Sequence, residues 1–219
     1  MFNFTFEKLM FKKYRDKLII YFFLISLSLA VLMPFFWMVS TSLKKLSHVF
    51  RFPPEFLPDP IVWSNYTKAL SQLPFDLYLQ NSILVTGGCL LGELISSSIV
   101  AYSFARLRWK GRDFLFIIVL STMMLPRQVT LIPEFIIFKE LGLLDTFWPL
   151  ILPSWFGNPF YIFLMRQYFL TISPELDDAA VIDGCSKFGV FWRILLPLST
   201  PVLAAVSIFS FQYNWNDFF

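Results

Sequence analysis

Charge is scarce in this sequence. Asp, Glu, Lys and Arg make up 15% of its 219 residues, against roughly 25% in an ordinary soluble domain. Histidine is scarcer still. The single one, His48, stands between Ser47 and Val49 beside an apolar block and reads as a solvated or interfacial side chain. There are two cysteines, Cys89 in an apolar block and Cys185 in a polar one, which excludes a disulfide framework and a zinc ligand set. No Gly-rich phosphate loop, His/Cys cluster or nucleophile–base pair is found. Covalent chemistry is therefore not expected: no catalytic residue, no metal ligand and no cofactor is assigned. The basic residues flank apolar blocks instead of forming a patch with exposed aromatics, which argues against nucleic acid as a partner.

What is present is apolar. Hydrophobic residues account for 57% of the chain and aromatics for 20%, and the mean hydropathy is +0.63. They come in long blocks, as spans of a lipid bilayer require. The expected fold is all-α, a polytopic membrane helical bundle. Residues 1–17 form a basic segment with Lys8, Lys12, Lys13, Arg15 and Lys17, and residues 18–219 form the transmembrane domain. Five spans are expected, at about 18–43, 79–105, 114–138, 147–170 and 198–219, with a polar loop at 173–197. Arg106, Arg108, Lys110 and Arg112 crowd the short loop after the second span. The longer 44–78 interval carries Lys44, Lys45, Arg51 and Lys68. By the positive-inside rule the N-terminus, the 106–112 loop and the 173–197 loop face the cytoplasm. The 44–78 interval is then external, with a short interfacial helix around Asn65 and Tyr66.

Several side chains break the apolar pattern. Glu93 is an ionisable group in mid-span and a functional candidate by that fact. Gly88 and Gly92 have the small-xxx-small spacing of closely packed helices. Pro126, Arg127, Gln128, Pro133 and Glu134 interrupt the third span, with Arg127 and Glu134 on one helix face. Irregular backbone at membrane depth needs cover from protein or a watery cavity. A solute path is accordingly expected along Glu93, Arg127, Gln128 and, near the chain end, Asn214, with third-span aromatics such as Phe135 alongside.

Residues 175–201 are the most polar interval of the second half. Ser173 suits an N-cap and Pro174 the first helical position, and Glu175, Asp177 and Asp178 favour the positive end of the helix dipole. Gly184 suits the C-terminal stop. Ala179, Ala180 and Gly184 allow close approach to a groove, and Asp178 and Asp183 are placed to pair with basic groups there. The interval reads as a docking element for another protein.

That stretch, Asp178-Ala-Ala180, Asp183-Gly184, Phe191, Leu196-Pro197-Leu198 and Pro201, resembles the EAA loop of ABC importer permeases. Asp178 stands where the pattern has Glu, and Cys185 where it has Ala. Ala101-Tyr102, Ala105-Arg106-Leu107, Met124-Leu-Pro126, Ile132-Pro133, Leu141-Gly-Leu143 and Trp215-Asn-Asp217 resemble the carbohydrate-uptake, maltose-type second permease. The resemblance implies a type I importer permease in the cell membrane. It implies a coupling loop built on Glu175, Asp178, Ala179, Ala180, Asp183, Gly184, Phe191 and Pro197. The implied partners are a cytoplasmic ABC ATPase dimer, a second permease and an extracytoplasmic solute-binding protein. The implied cargo is a sugar: an oligosaccharide, or a related polyol or glycerol phosphate. Relatives continue past the Trp-Asn-Asp region through another span, so the chain looks C-terminally truncated by one helix. Alternatives are an ABC permease for a non-sugar solute and an ion-coupled secondary carrier using Glu93, Arg127 and Glu134.

Overall fold

The computed structural model describes residues 2–217, with side chains from Tyr14 onward. The basic side chains Lys8, Lys12 and Lys13, and the last two residues of the expected 198–219 span, lie outside that description. Among the described residues there are helices and turns but no strand. The chain divides into two compact units between Asp76 and Leu77.

The first unit is built on α1, Phe2–Ser42, which continues through Pro34. Its Tyr14–Ser42 part, 29 residues, is long and apolar enough to cross a bilayer, and its most apolar stretch is exposed. A helix of that length with no polar face is suited to lipid. The end of α1 is tied to the loop that follows. Ser40 Oγ bonds the carbonyl of Phe56, and Asn65 Nδ2 donates to the carbonyls of Ser42 and Lys44 at 2.9 and 2.8 Å. Lys44, although charged, is buried: its ammonium donates to the Glu55 carbonyl and lies 4.1 Å from the Trp37 ring centre. Two short helices complete this unit, α2 (Leu46–Val49) and α3 (Ser64–Gln72), the latter at the expected interfacial position. His48 is not merely solvated, since Nδ1 stands 3.1 Å from Glu55 Oε2 and Arg51 reaches the same carboxylate.

The central element of the second unit is α4, Phe75–Arg106 (32 residues), which lies in that unit from Leu77 onward and is also long and apolar enough to cross a bilayer. The expected third span is broken. α5 (Arg112–Ser121) and a 3-10 turn over Thr122–Met124 give way to α6 (Arg127–Glu140), with a 98° bend between the two halves. The cause is local: a residue before proline avoids the helical region, and Leu125 is extended (ψ 118°) before Pro126. The expected fourth span is likewise two pieces. α7 (Trp148–Ile151) and a 3-10 turn over Leu152–Phe156 end at Gly157, whose φ of +89° favours glycine, and α8 (Pro159–Thr171) follows.

Broken backbone in an apolar setting must find partners, and α4 supplies them. Cys89 Sγ donates to the Leu150 carbonyl at 3.3 Å and Ser96 Oγ to that of Ser154 at 3.4 Å. Ser97 Oγ accepts the Asn158 N–H at 3.1 Å. The Gly88–Gly92 spacing is used on the same face. A Cβ on Gly88 would lie 3.0 Å from the Ile151 side chain, and one on Gly92 would lie 2.5 Å from the Trp155 indole.

Chain order then runs through α9 (Glu175–Ile182), α10 (Lys187–Val190), a π turn over Phe191–Leu195, α11 (Leu196–Leu198) and α12 (Thr200–Trp215). The π turn is marked by an i→i−5 bond from the Leu196 N–H to the Phe191 carbonyl. A 77° bend at Ser199 separates α10–α11 from α12. The core joins α4, α5, α8, the π turn and α12 through residues such as Tyr102, Phe116, Met165, Phe169, Leu195 and Val206. Among the described residues, two helices are long and apolar enough to cross a membrane, or up to four if each bent pair counts as one span.

Candidate functional site

Two places in the second unit bring the expected residues together. They lie along α4: Arg106 ends the helix, and Glu93 is 13 positions earlier, roughly 20 Å along its axis.

The first is the α9 region. Its start is one residue later than expected: Pro174, not Ser173, takes the N-cap position, and Ser173 Oγ just before it accepts the Glu175 N–H at 3.3 Å. It ends in a Schellman motif: the Cys185 N–H bonds the Ala180 carbonyl, the Gly184 N–H bonds the Val181 carbonyl, and Gly184 has φ +84°. Asp178, Ala179, Val181, Ile182, Asp183 and Gly184 are exposed, Ile182 at 85%. Ala180 is buried against the bundle, so the two alanines do not share a free face. Phe191 is also buried, with its ring 5.1 Å from that of Tyr102, while Pro197 is exposed.

Sequence reasoning does not find what fastens this region. Arg106 donates from Nη2 to the Ile172 carbonyl at 2.7 Å, and its Nε lies 3.5 Å from Asp177 Oδ2. The Tyr102 hydroxyl donates to the Lys187 carbonyl at 2.8 Å. Thus the last turn of α4 holds the chain just before α9, α9 itself and the start of α10. The side chains of Arg106 and Asp177 are only 8% and 19% exposed. Burial pushes the Asp177 carboxyl above its ordinary range. Arg106 pulls it back without cancelling the shift, and neighbouring Asp178 adds to the rise.

The second place is a cavity of about 420 Å³ between α4, α6, the α7–α8 connection and the end of α12. Glu93, Arg127 and Asn214 border it together, as do Glu134, Asn158 and Asp217. Arg127 Nη1 donates at 2.8 Å both to the Tyr213 hydroxyl and to Asp217 Oδ2. Asn214 Nδ2 donates to the Ser210 carbonyl at 2.9 Å. Glu93 is 4% exposed, with Ser210, Asn158 and Asn214 as neighbours, and its Oε2 has no hydrogen-bond partner. Gln128 is absent from this lining. It borders a second opening of about 800 Å³, which shares Arg127, Asn158, Tyr213 and Asp217. Phe135 borders neither.

The second unit is thus a helical bundle with broken helices around a polar cavity and a fastened surface helix with an exposed tip. Residues 94–219 match the family described as "Binding-protein-dependent transport system inner membrane component". The chain belongs to this family, whose members are transport permeases of the inner membrane and not enzymes. It is 36% identical over 212 residues to the probable ABC transporter permease protein YurM of Bacillus subtilis, covering 94% of this chain and 69% of that one. It is 39% identical over 138 residues to the arabinooligosaccharides transport system permease protein AraQ of Halalkalibacterium halodurans, covering 63% and 49%. The crystal structure of a bacterial ABC transporter involved in import of the acidic polysaccharide alginate contains a chain similar in fold. Its TM-score is 0.81 at 30% identity, covering 94% of this chain and 72% of that one.

Proposed function

We propose that this permease carries a sugar or related polyol, receiving its energy from a separate cytoplasmic ATPase dimer that docks on residues 173–197. The observation that carries the docking reading is the exposed tip of α9. Ile182 and Val181 present apolar surface beside Asp178 and Asp183, on a helix capped at both ends and fastened to α4. A rigid element of this kind transmits a push to α4, α8 and the π turn as a body. Arg106, Arg108, Lys110 and Arg112 support a cytoplasmic location for this end and for the N-terminus. In this reading the loop after α1, with Phe50 and Phe52 exposed, faces the extracytoplasmic binding protein, and a second permease completes the pathway. A sugar cargo is supported by the relatives named for arabinooligosaccharide transport and alginate import.

Ile182→Asp tests the docking. The side chain is solvent-exposed within the chain, so the folded permease is expected to be unchanged in yield and thermal stability. Co-purification of the ATPase is expected to fall at least tenfold, about 1.4 kcal/mol. Undiminished co-purification with coupled transport would remove the α9 tip from the interface.

The cavity is the proposed solute path. Asn214→Leu is expected to lower uptake about tenfold, because it removes an amide from the cavity wall and leaves the Ser210 carbonyl without its side-chain donor. Gln128→Leu, at the neighbouring opening, is expected to change uptake less. Transport assays on the two variants at equal membrane levels compare them, and the reverse order would move the path to the second opening.

A further inference from the structure

A third hollow, of about 350 Å³, lies where the chain turns from α4 into α5, apart from both places described above. Arg108, Trp109, Gly111, Arg112, Asp113 and Phe114 line it. The turn is basic. Arg108 and Lys110 are exposed and make no ion pair among the described residues. Arg112 Nε holds the Asp113 carboxylate at 2.9 Å, which offsets the one acid on the wall and leaves Arg108 as surplus charge. Arg166 on α8 adds a further cation near Arg112. Arg106 takes no part, because its guanidinium is committed to Ile172 and Asp177. The hollow therefore offers uncompensated cationic donors to an anion.

The same turn is apolar on its other side. Phe114 borders the hollow and begins a lane with Ile117 and Ile118, at i, i+3 and i+4 on one face of α5. These three are 68%, 61% and 44% exposed. A free anion would leave that lane in water. A zwitterionic lipid would bring a cation of its own towards Arg108 and Lys110. An anionic head joined to an acyl chain suits both halves, and the turn lies at the end of a helix long and apolar enough to cross a bilayer. Trp109, half-buried against Phe104, is a side chain favoured at the membrane–water boundary. We propose that this turn binds an anionic phospholipid from the leaflet at this end of α4. The phosphate meets Arg108 and Arg112, and an acyl chain follows Phe114, Ile117 and Ile118. The site depends neither on the solute path nor on the docking of the ATPase.

Photolabelling of the complete transporter tests this. The permease is reconstituted with its second permease and ATPase in phosphatidylcholine vesicles that hold a trace of lipid with a diazirine on its acyl chain. The trace lipid is phosphatidylglycerol in one set and phosphatidylcholine in the other. Label on residues 114–121 is read by peptide mass and divided by label on residues 22–32 of α1, an exposed stretch without charge. The phosphatidylglycerol probe is expected to be favoured about tenfold. Arg108→Gln, which has no ion pair to lose, is expected to lower that preference about fivefold. Lys110→Gln, beside the hollow and not on its wall, is expected to lower it about twofold, and serves if Arg108→Gln does not assemble. Inorganic phosphate in place of chloride at equal ionic strength is expected to leave the preference unchanged. Its loss in phosphate would show a plain anion site and overturn the lipid. A preference near one, or one that ignores both substitutions, overturns the site too. So does the absence of label from either probe on residues 114–121, which would mean that protein covers this face in the assembled transporter.

Discussion

Arg106→Ala is expected to separate ATP hydrolysis from transport more severely than changes at the exposed tip of α9. The guanidinium binds the Ile172 carbonyl and faces Asp177, both in the segment that carries α9. Its loss leaves a largely buried carboxylate without its cation and a carbonyl without its donor. For fully buried pairs such removal costs about 3–5 kcal/mol. Asp177 keeps some contact with solvent, so a value of about 2–3 kcal/mol is expected, enough to lower the ratio of held to released loops roughly thirty- to a hundred-and-fortyfold. Uptake should fall accordingly, with the permease still present in the membrane and the ATPase still hydrolysing. Arg106→Lys keeps the charge but not the planar fork and should be intermediate. The defect also has a pH signature. The folded-state pKa of Asp177 lies above its unfolded value, so the fold prefers the protonated form and holds the charged form at a cost. Removing Arg106 enlarges that cost at neutral pH and much less once Asp177 is protonated. The difference in thermal stability between variant and parent should therefore narrow as the pH becomes mildly acidic. A difference that is constant or widens in acid would show that Arg106 does not act through Asp177.

Gly92→Val is the second large effect. The Trp155 indole occupies the place of the missing side chain, so a Cβ would sit 2.5 Å from it and a branched side chain has nowhere to go. Overpacking typically costs about 1–3 kcal/mol, and the upper end or beyond is expected here. The reason is that Trp155 lies on the 3-10 turn whose carbonyls are held by α4. Moving the indole pulls on the Ser96–Ser154 contact and on the Asn158 backbone, both at the cavity wall. Purified permease complex should melt several degrees lower, and Gly92→Ala should show a smaller loss. A wild-type melting temperature for Gly92→Val would mean that the turn relaxes freely, contrary to the tight packing seen. Gly87, about one turn away, is the matched control: a Cβ there would meet nothing within 4 Å, so Gly87→Ala should be tolerated.

Features governed by near neighbours in the chain are the legible ones. Ser173, Pro174 and Gly184 mark the limits of α9 because capping acts within a few residues. Gly88 and Gly92 announce close packing because spacing along one helix is a local property. Pro126 foretells a break, although not a bend of 98°. Contacts that depend on how distant segments meet are not legible. Arg106 and Ile172 are 66 positions apart, and nothing near either names the other. Nothing near the serines at 96–98 names a partner, yet two of their hydroxyls serve backbone groups of a segment that prolines have broken. Gln128 follows Arg127 directly, but one step along a helix turns the side chain by about 100°, which places it at a different opening. Glu93, Arg127 and Asn214 each stand out as polar exceptions, and folding brings those three to one cavity.

The π turn over Phe191–Leu195 has a further consequence, one of length. An α-helix fits fewer residues into the same rise than a π turn does, so this segment holds slack between the α9 region and the bend at Ser199. Taking up that slack would turn everything on one side of it by about a residue's rotation, roughly 100°, relative to the other. Trp192 and Arg193, exposed on the turn, would sweep around the helix, and Phe191 and Leu195, buried at its two ends, would change their orientation relative to each other. The turn is thus a point where a push along the chain can be converted into rotation about it.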